Sequence, residues 1–217
     1  MRLLGVTDLH DNHTALARIL QQAGPVDVIL LGGDLTNFGA PGDAKRLMDL
    51  VRPSGARVLA VAGNCDSMDI EQWLVDQDLS LFCRGTVVED VGFHGLSAMP
   101  PWHPGMYHFT ETELSQSLQI GYGQIAGTAW HVVLSHPPPR ATHVDRTQRG
   151  QNVGSTALRD FIDRVQPHLV VCGHIHEGRG VECIGRTQVV NCGAAVAGSY
   201  AIIEIGEQIH VELRNAQ

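Results

Sequence analysis

Basic residues are scarce in this chain. Lys and Arg total 15 of 217 residues against 23 Asp and Glu, giving a formal charge of −8. Affinity for nucleic-acid phosphates comes mainly from clustered Lys and Arg. No basic run occurs, so long nucleic acid is not an expected partner. Aromatic residues make up only 5%, too few for the stacking series that non-specific single-strand binders use. No apolar stretch approaches the ~18 residues of a spanning helix, so no membrane partner is expected. The opening segment, Met1 to Asp8, is too short and polar for a signal peptide and reads as a strand. The five cysteines (65, 83, 172, 183 and 192) are odd in number and form no C-x-x-C pair. Reduced thiols in a cytoplasmic protein are the expectation. Neither repeats, low-complexity segments nor a linker interrupt the chain, so residues 1–217 are read as one domain.

Apolar residues are plentiful, at 43%, and Gly occurs 24 times. This mix suits an α/β fold with tight corners. Short apolar runs at 2–7, 26–31, 57–62, 86–90, 91–97, 130–135 and 169–172 read as strands. Helical spacing marks 12–23, 43–51, 68–76, 111–120 and 154–165, the last with Ser155 as a candidate cap. Strand signals at 180–184, 187–191, 200–205 and 208–212 are hairpin-like. Continuously apolar strands imply covered sheets, and the late hairpins imply antiparallel pairing. The expected fold class is α/β: two packed mixed sheets flanked by helices, a four-layer αββα sandwich.

Five of these strands end in metal-ligand residue types. They run into Asp8-Leu9-His10, Gly32-Gly33-Asp34, Gly63-Asn64-Cys65-Asp66, Ser135-His136 and Gly173-His174-Ile175-His176. Ligands in α/β sheets bind beyond the carboxyl ends of strands. Residues two apart on extended chain face the same side, so Asp8 can join His10, and His174 can join His176. The glycines permit sharp turns and close backbone approach. Carboxylate, amide and imidazole donors suit Mn²⁺, Zn²⁺, Fe or Ni. Seven donors exceed the needs of one tetrahedral ion and match two ions sharing a carboxylate.

The series D-x-H, G-D, G-N-x-D, H and G-H-x-H resembles that of the calcineurin-like metallophosphoesterase superfamily. The G-N-C-D form, together with Ser135-His136-Pro137-Pro138-Pro139, is similar to the small prokaryotic, Icc-related phosphoesterases. The resemblance implies that Asp8, His10 and His176 bind a first divalent metal, that Asn64, His136 and His174 bind a second, and that Asp34 bridges them. Manganese is the first expectation for both ions, with Zn, Fe, Ni or Mg as alternatives. It further implies hydrolysis of phosphate esters by a hydroxide bridging the ions. Asn64, Cys65, Asp66 and His136 are the catalytic candidates. Asp66 is expected to orient a neighbouring group, and Asn64 to reach a phosphate oxygen through its amide.

The expected substrates are small-molecule or nucleotide phosphodiesters. A phosphomonoesterase, including a protein phosphatase, is the alternative, and a non-enzymatic scaffold on the same fold is a second. The sequence leaves open a homo-oligomer. It also leaves open two loops: Trp102, His103, Tyr107 and His108 can shape a pocket or pack on their own domain, and so can Arg140, His143, Asp145 and Arg149. His13 is expected to be a solvated residue at a helix start. Cys83, Cys172, Cys183 and Cys192 are read as structural.

Overall fold

The structure is a computed structural model that describes residues 1–216. Two sheets carry the chain. The first has the order β11-β10-β1-β2-β3, built from Arg2–Val6 (β1), Val28–Gly32 (β2), Arg57–Val61 (β3), Ser199–Ile205 (β10) and Ile209–Asn215 (β11). The second has the order β4-β5-β6-β7-β9-β8, built from Gly85–Val88 (β4), Val91–Leu96 (β5), Trp130–Ser135 (β6), Leu169–Cys172 (β7), Gly180–Ile184 (β8) and Thr187–Asn191 (β9). Three neighbouring strands run parallel in the first sheet, β1-β2-β3, and four in the second, β5-β6-β7-β9, and the remaining strands add antiparallel pairs.

Strand residues alternate between two apolar layers, which explains the unbroken apolar runs. Val28, Leu30, Leu59 and Val61 face Phe93, Val132, Leu134 and Val171 across the sheet-to-sheet layer. Their neighbours Ile29, Leu31, Val58 and Ala60 pack under His13–Ala23 (α1), Pro41–Val51 (α2) and Met68–Asp76 (α3). On the far side Val133, Val170 and Cys172 pack under Glu111–Gly123 (α4) and Thr156–Val165 (α5). The result is the expected four-layer sandwich. Each fully buried Leu, Val or Phe contributes roughly 1.5–3 kcal/mol.

Local signals set the helix starts. Asn12 Oδ1 accepts from the Ala15 amide at 3.0 Å, and Ser67 Oγ from the Ile70 amide at 3.3 Å. Thr110 and Glu113 form a reciprocal capping box on α4. Ser155 caps α5 as expected. Glu111, on α4, adds a cap invisible to local reading: its carboxylate accepts from Ser155 Oγ at 2.7 Å and from the amides of Thr156 and Ala157 at 2.8 and 2.9 Å.

Two expectations need correction. His13 opens α1 as expected, but the residue is half-buried and its Nε2 is buried without a hydrogen-bond partner. Cys183 is exposed on the edge strand β8, where alternate side chains point outward, so it is not a packing residue. Cys172 and Cys192 are buried, and all five thiols are free.

Candidate metal centre

The five ligand-bearing corners follow β1, β2, β3, β6 and β7. These are adjacent parallel strands of each sheet, so their carboxyl ends come together where the sheets meet. All seven predicted metal ligands are gathered there. Asp8, His10 and His176 place one donor atom each within 4.8 Å of one another, and so do Asp34, His136 and His174. Asn64 joins the second group, with Oδ1 2.8 Å from His136 Nε2.

Asp34 lies between the groups. Its Oδ2 is 3.7 Å from His10 Nε2, and its Oδ1 is 3.5 Å from His136 Nε2. The Cys65 amide donates to Oδ1 at 2.7 Å and fixes the carboxylate plane. Asp8 is fully buried and accepts from the His174 amide at 3.1 and 3.0 Å. Burial pushes the Asp8 carboxyl up, but hydrogen bonding to His176 and the charge of the surrounding imidazoles outweigh it and hold it below the usual range. His174, driven down to about 3 by burial and by His136, stays neutral and keeps a lone pair.

The donor set fits cations. His136 Nδ1 lies 2.9 Å from the Gly32 carbonyl, which can only accept, so Nδ1 carries the ring proton. Its Nε2 faces Asn64 Oδ1, an acceptor, at 2.8 Å. An amide oxygen and an imidazole nitrogen at that separation, beside two buried carboxylates, call for a positive charge between them. No Lys or Arg occurs in the segments 8–13, 33–39, 63–68, 97–109, 136–139 or 173–178 to supply it.

Backbone conformation bears the cost of this convergence. Asp8, His10, Asp34 and His174 adopt φ of 57°, 45°, 47° and 65°. Asp and His enter this left-handed region more readily than most residues, yet each such position stores roughly 1–3 kcal/mol. Close approach also demands glycine at two corners. A Cβ on Gly63 would strike the Asp34 amide and Oδ1, and one on Gly173 would strike Asp8 Oδ2.

Asp66 is placed as expected, behind the donors. Its carboxylate accepts from the amides of Gly63, Leu35 and Thr36 at 2.8, 3.1 and 2.9 Å, and from Thr36 Oγ1 at 2.9 Å. It therefore ties the corner after β2 to the corner after β3. Burial and the neighbouring Asp34 charge raise it to about 6, against the pull of these donors. Asp66→Asn exchanges an acceptor oxygen for an NH₂ facing either the Gly63 and Leu35 amides or the Thr36 amide and hydroxyl. It is expected to weaken metal affinity about 10–100-fold, the range for residues that orient ligands, as read by calorimetric metal titration.

Cys65 is buried next to Asp34, and its Sγ accepts from Asn64 Nδ2 at 3.3 Å. Burial, followed by the Asp34 charge, pushes the thiol far above its usual range. Its Sγ also lies within 4.8 Å of donor atoms on His10 and Asp34.

The two open loops divide. The Trp102 ring lies 5.1 Å from that of His174, Met106 Sδ accepts from Asn64 Nδ2 at 3.5 Å, and the Tyr107 amide donates to the Asn64 carbonyl at 3.1 Å. That loop covers the site. In the other, buried Asp145 anchors the segment through Thr142, Asn152 and Gly154. His143 and Arg146 line a shallow cleft with Glu182 that shares no residue with the metal centre. Sequence reasoning misses Met106 and Phe38. The signal available is their place in the corner loops, within or next to the motif segments.

Comparison with known proteins identifies the family. The chain is 30% identical over 199 residues to the protein MJ1162 of Methanocaldococcus jannaschii, spanning 88% of this chain and 87% of that one. It is 25% identical over 196 residues to a cAMP/cGMP dual specificity phosphodiesterase of Mycobacterium tuberculosis, spanning 85% of this chain and 59% of that protein. The crystal structure of TT1561 of Thermus thermophilus superposes with a TM-score of 0.77 at 16% identity, over 100% of this chain and 99% of the other, and shares its fold. The family model for calcineurin-like phosphoesterases matches residues 1–178, which hold both donor clusters, and the chain belongs to that family.

Proposed function

We propose that this chain hydrolyses small-molecule or nucleotide phosphodiesters at a centre of two divalent ions. The observation that carries the reading is the division of the Asp34 oxygens between two donor clusters, one facing His10 and the other His136. The family uses a dinuclear divalent centre. In this chain Asp8, His10 and His176 would hold one ion, Asn64, His136 and His174 the other, and Asp34 both. Manganese is the proposed resident ion. Two such ions supply charge for phosphoryl oxygens and a water of lowered pKa.

The chain's own residues prepare the rest. Asn64 keeps Oδ1 toward His136, while its amide rests on two weak sulfur acceptors, Cys65 Sγ and Met106 Sδ. A phosphate oxygen is a stronger acceptor and would draw that amide away. Asp66 holds the two corners at fixed spacing, and Asp8 holds the His174 backbone.

Two features favour diesters over monoesters. The corner segments bring no Lys or Arg to the phosphate, so the ions alone must balance its charge. A diester carries one negative charge and a monoester close to two. Cys65 also offers a poor proton source for a basic leaving group. The name of the mycobacterial relative, a cyclic-nucleotide phosphodiesterase, supports the same class. The five free thiols fit a reducing compartment, proposed as the cytoplasm. Among the described residues no helix is long and apolar enough to cross a membrane.

A panel of bis-aryl diesters, cyclic nucleotides and matched monoesters, run with Mn²⁺, Zn²⁺, Fe²⁺, Ni²⁺ and Mg²⁺, tests the proposal. Diester kcat/KM is expected to exceed that of the matched monoester with at least one metal. Faster monoester turnover would select the phosphomonoesterase reading. Two bound ions with no turnover of any ester would select the scaffold.

A further inference from the structure

Large apolar side chains stand unusually exposed around the metal centre. Trp102 is 39% exposed, Phe38 61% and Met68 54%. Each is tied to a corner that bears donors. The Phe38 amide donates to the Cys65 carbonyl at 2.9 Å. Met68 begins α3 directly after Asp66-Ser67 and lies beside Tyr107, whose amide is bonded to the Asn64 carbonyl. The Trp102 ring, tilted 34°, lies 5.1 Å from the ring of His174. A part-exposed indole beside a ligand imidazole, with Phe38 and Met68 exposed on the corners after β2 and β3, offers an apolar surface on which a flat ring can pack.

We propose that Trp102 forms an aromatic subsite that stacks the flat ring of the substrate, a nucleobase or an aryl group esterified to the phosphate, with Phe38 and Met68 as an apolar rim. This rests on the phosphoesterase reading above. A phosphoryl group held between the two donor clusters sits next to His174, and the indole packs against that residue's ring. A ring carried close to phosphorus, directly, through an ester oxygen or through a sugar, would meet the exposed part of the indole. Every base or aryl ring has a π face, so stacking of this kind selects for planarity rather than for one hydrogen-bond pattern. With no Lys or Arg in the corner segments, the subsite offers no counter-charge for a second phosphate. The ring provides the affinity that charge does not.

The test is equilibrium binding to the metal-loaded protein, with ringed and ringless probes compared in pairs. The pairs are adenosine 5′-monophosphate with ribose 5-phosphate, and phenylphosphonate with methylphosphonate, with inorganic phosphate as reference. In the wild type at least one ringed probe is expected to bind about tenfold or more tightly than its counterpart, within the range for a base stacked on an aromatic side chain. Trp102→Ala is expected to abolish that ratio, and Trp102→Phe to keep most of it. Indole fluorescence is expected to be quenched by the ringed probe in the wild type and not in Trp102→Phe. Which pair shows the gain identifies nucleobase or aryl as the occupant. A ratio near one for both pairs in the wild type, or an equal ratio in wild type and Trp102→Ala, would overturn the subsite while leaving the phosphoesterase reading intact. Failure of metal-loaded protein to bind any probe, phosphate included, would overturn both. Because each variant is judged by a ratio at saturating metal, a loss of metal affinity from uncovering His174 does not imitate the result.

Discussion

Asp34→Asn is expected to lower metal stoichiometry from two ions per chain to one or fewer. Asp34 is the only residue facing both donor clusters through separate oxygens among the seven candidates. The amide keeps one oxygen, which can still accept from the Cys65 amide as Oδ1 does now at 2.7 Å, so the corner should hold its shape. What is lost is the negative charge and one donor oxygen. Residues that merely orient ligands cost about 10–100-fold in metal affinity when changed. Loss of a donor shared by two ions should exceed about 100-fold for at least one of them, and phosphoesterase activity should fall with it. Elemental analysis after reconstitution and a calorimetric titration measure the effect. His10→Ala is the comparison. It removes a donor of the Asp8 cluster alone and should leave one ion near wild-type affinity. Two tightly held ions in Asp34→Asn would show that the carboxylate does not bridge.

Cys65 carries the second large effect. An imidazole in this position could protonate the leaving oxygen. The Cys65 side chain is shorter, is buried, and has its thiol pushed far above its usual range by burial and the Asp34 charge. That leaves no proton poised for an alkoxide. General acid catalysis contributes roughly 10²–10⁴-fold, so its absence should fall mainly on esters with poor leaving groups. Cys65→His is expected to raise turnover of alkyl esters by about 10²-fold or more, and of activated aryl esters by far less. Cys65→Ala is expected to change either class little. The measurement is kcat/KM across a leaving-group series at fixed metal loading. Abolition of turnover in Cys65→Ala with both ions still bound would make the thiol catalytic and the explanation wrong. Of the loop histidines, His143 lines the separate cleft and stands apart from this role, whereas His103 and His108 bond neighbouring carbonyls through Nδ1 and keep Nε2 for other partners.

The donors are legible in sequence because each follows immediately after an apolar run. The runs are long enough to read, and the strands that carry them are parallel neighbours, so sequence order alone puts the corners at one end. The helix starts at Asn12, Ser67 and Ser155 are equally local. What escapes depends on contacts between distant segments. The cap that Glu111 gives to α5 spans 44–46 positions. Trp102 reaches His174 only because Met99 and His108 pair and close the loop between them. His94 and His131 read as ordinary polar interruptions of two strands, yet their Nε2 atoms meet at 2.7 Å under Phe161 and Tyr122, on the helix side of the second sheet. No pattern along the chain encodes such a pair, since it arises from the register of β5 on β6. The order β7-β9-β8 is likewise hidden, because a hairpin signal does not say which of its strands lies inward.

The strand order also sets when a growing chain can acquire its ions. β1 lies between β2 and β10, so it waits for a strand made much later before its sheet is complete. A nascent chain that has passed Asn64 already displays Asp8, His10, Asp34 and Asn64, three oxygen donors and a single imidazole. His136, His174 and His176 arrive only with the second sheet. Preformed sites rarely exist before folding, and pairings this distant in sequence form late. The early half-set is hard and loosely arranged, suited to weak exchange with abundant cations. Tight capture comes after both sheets have closed on each other, when fixed geometry rather than the order of encounter selects the metal.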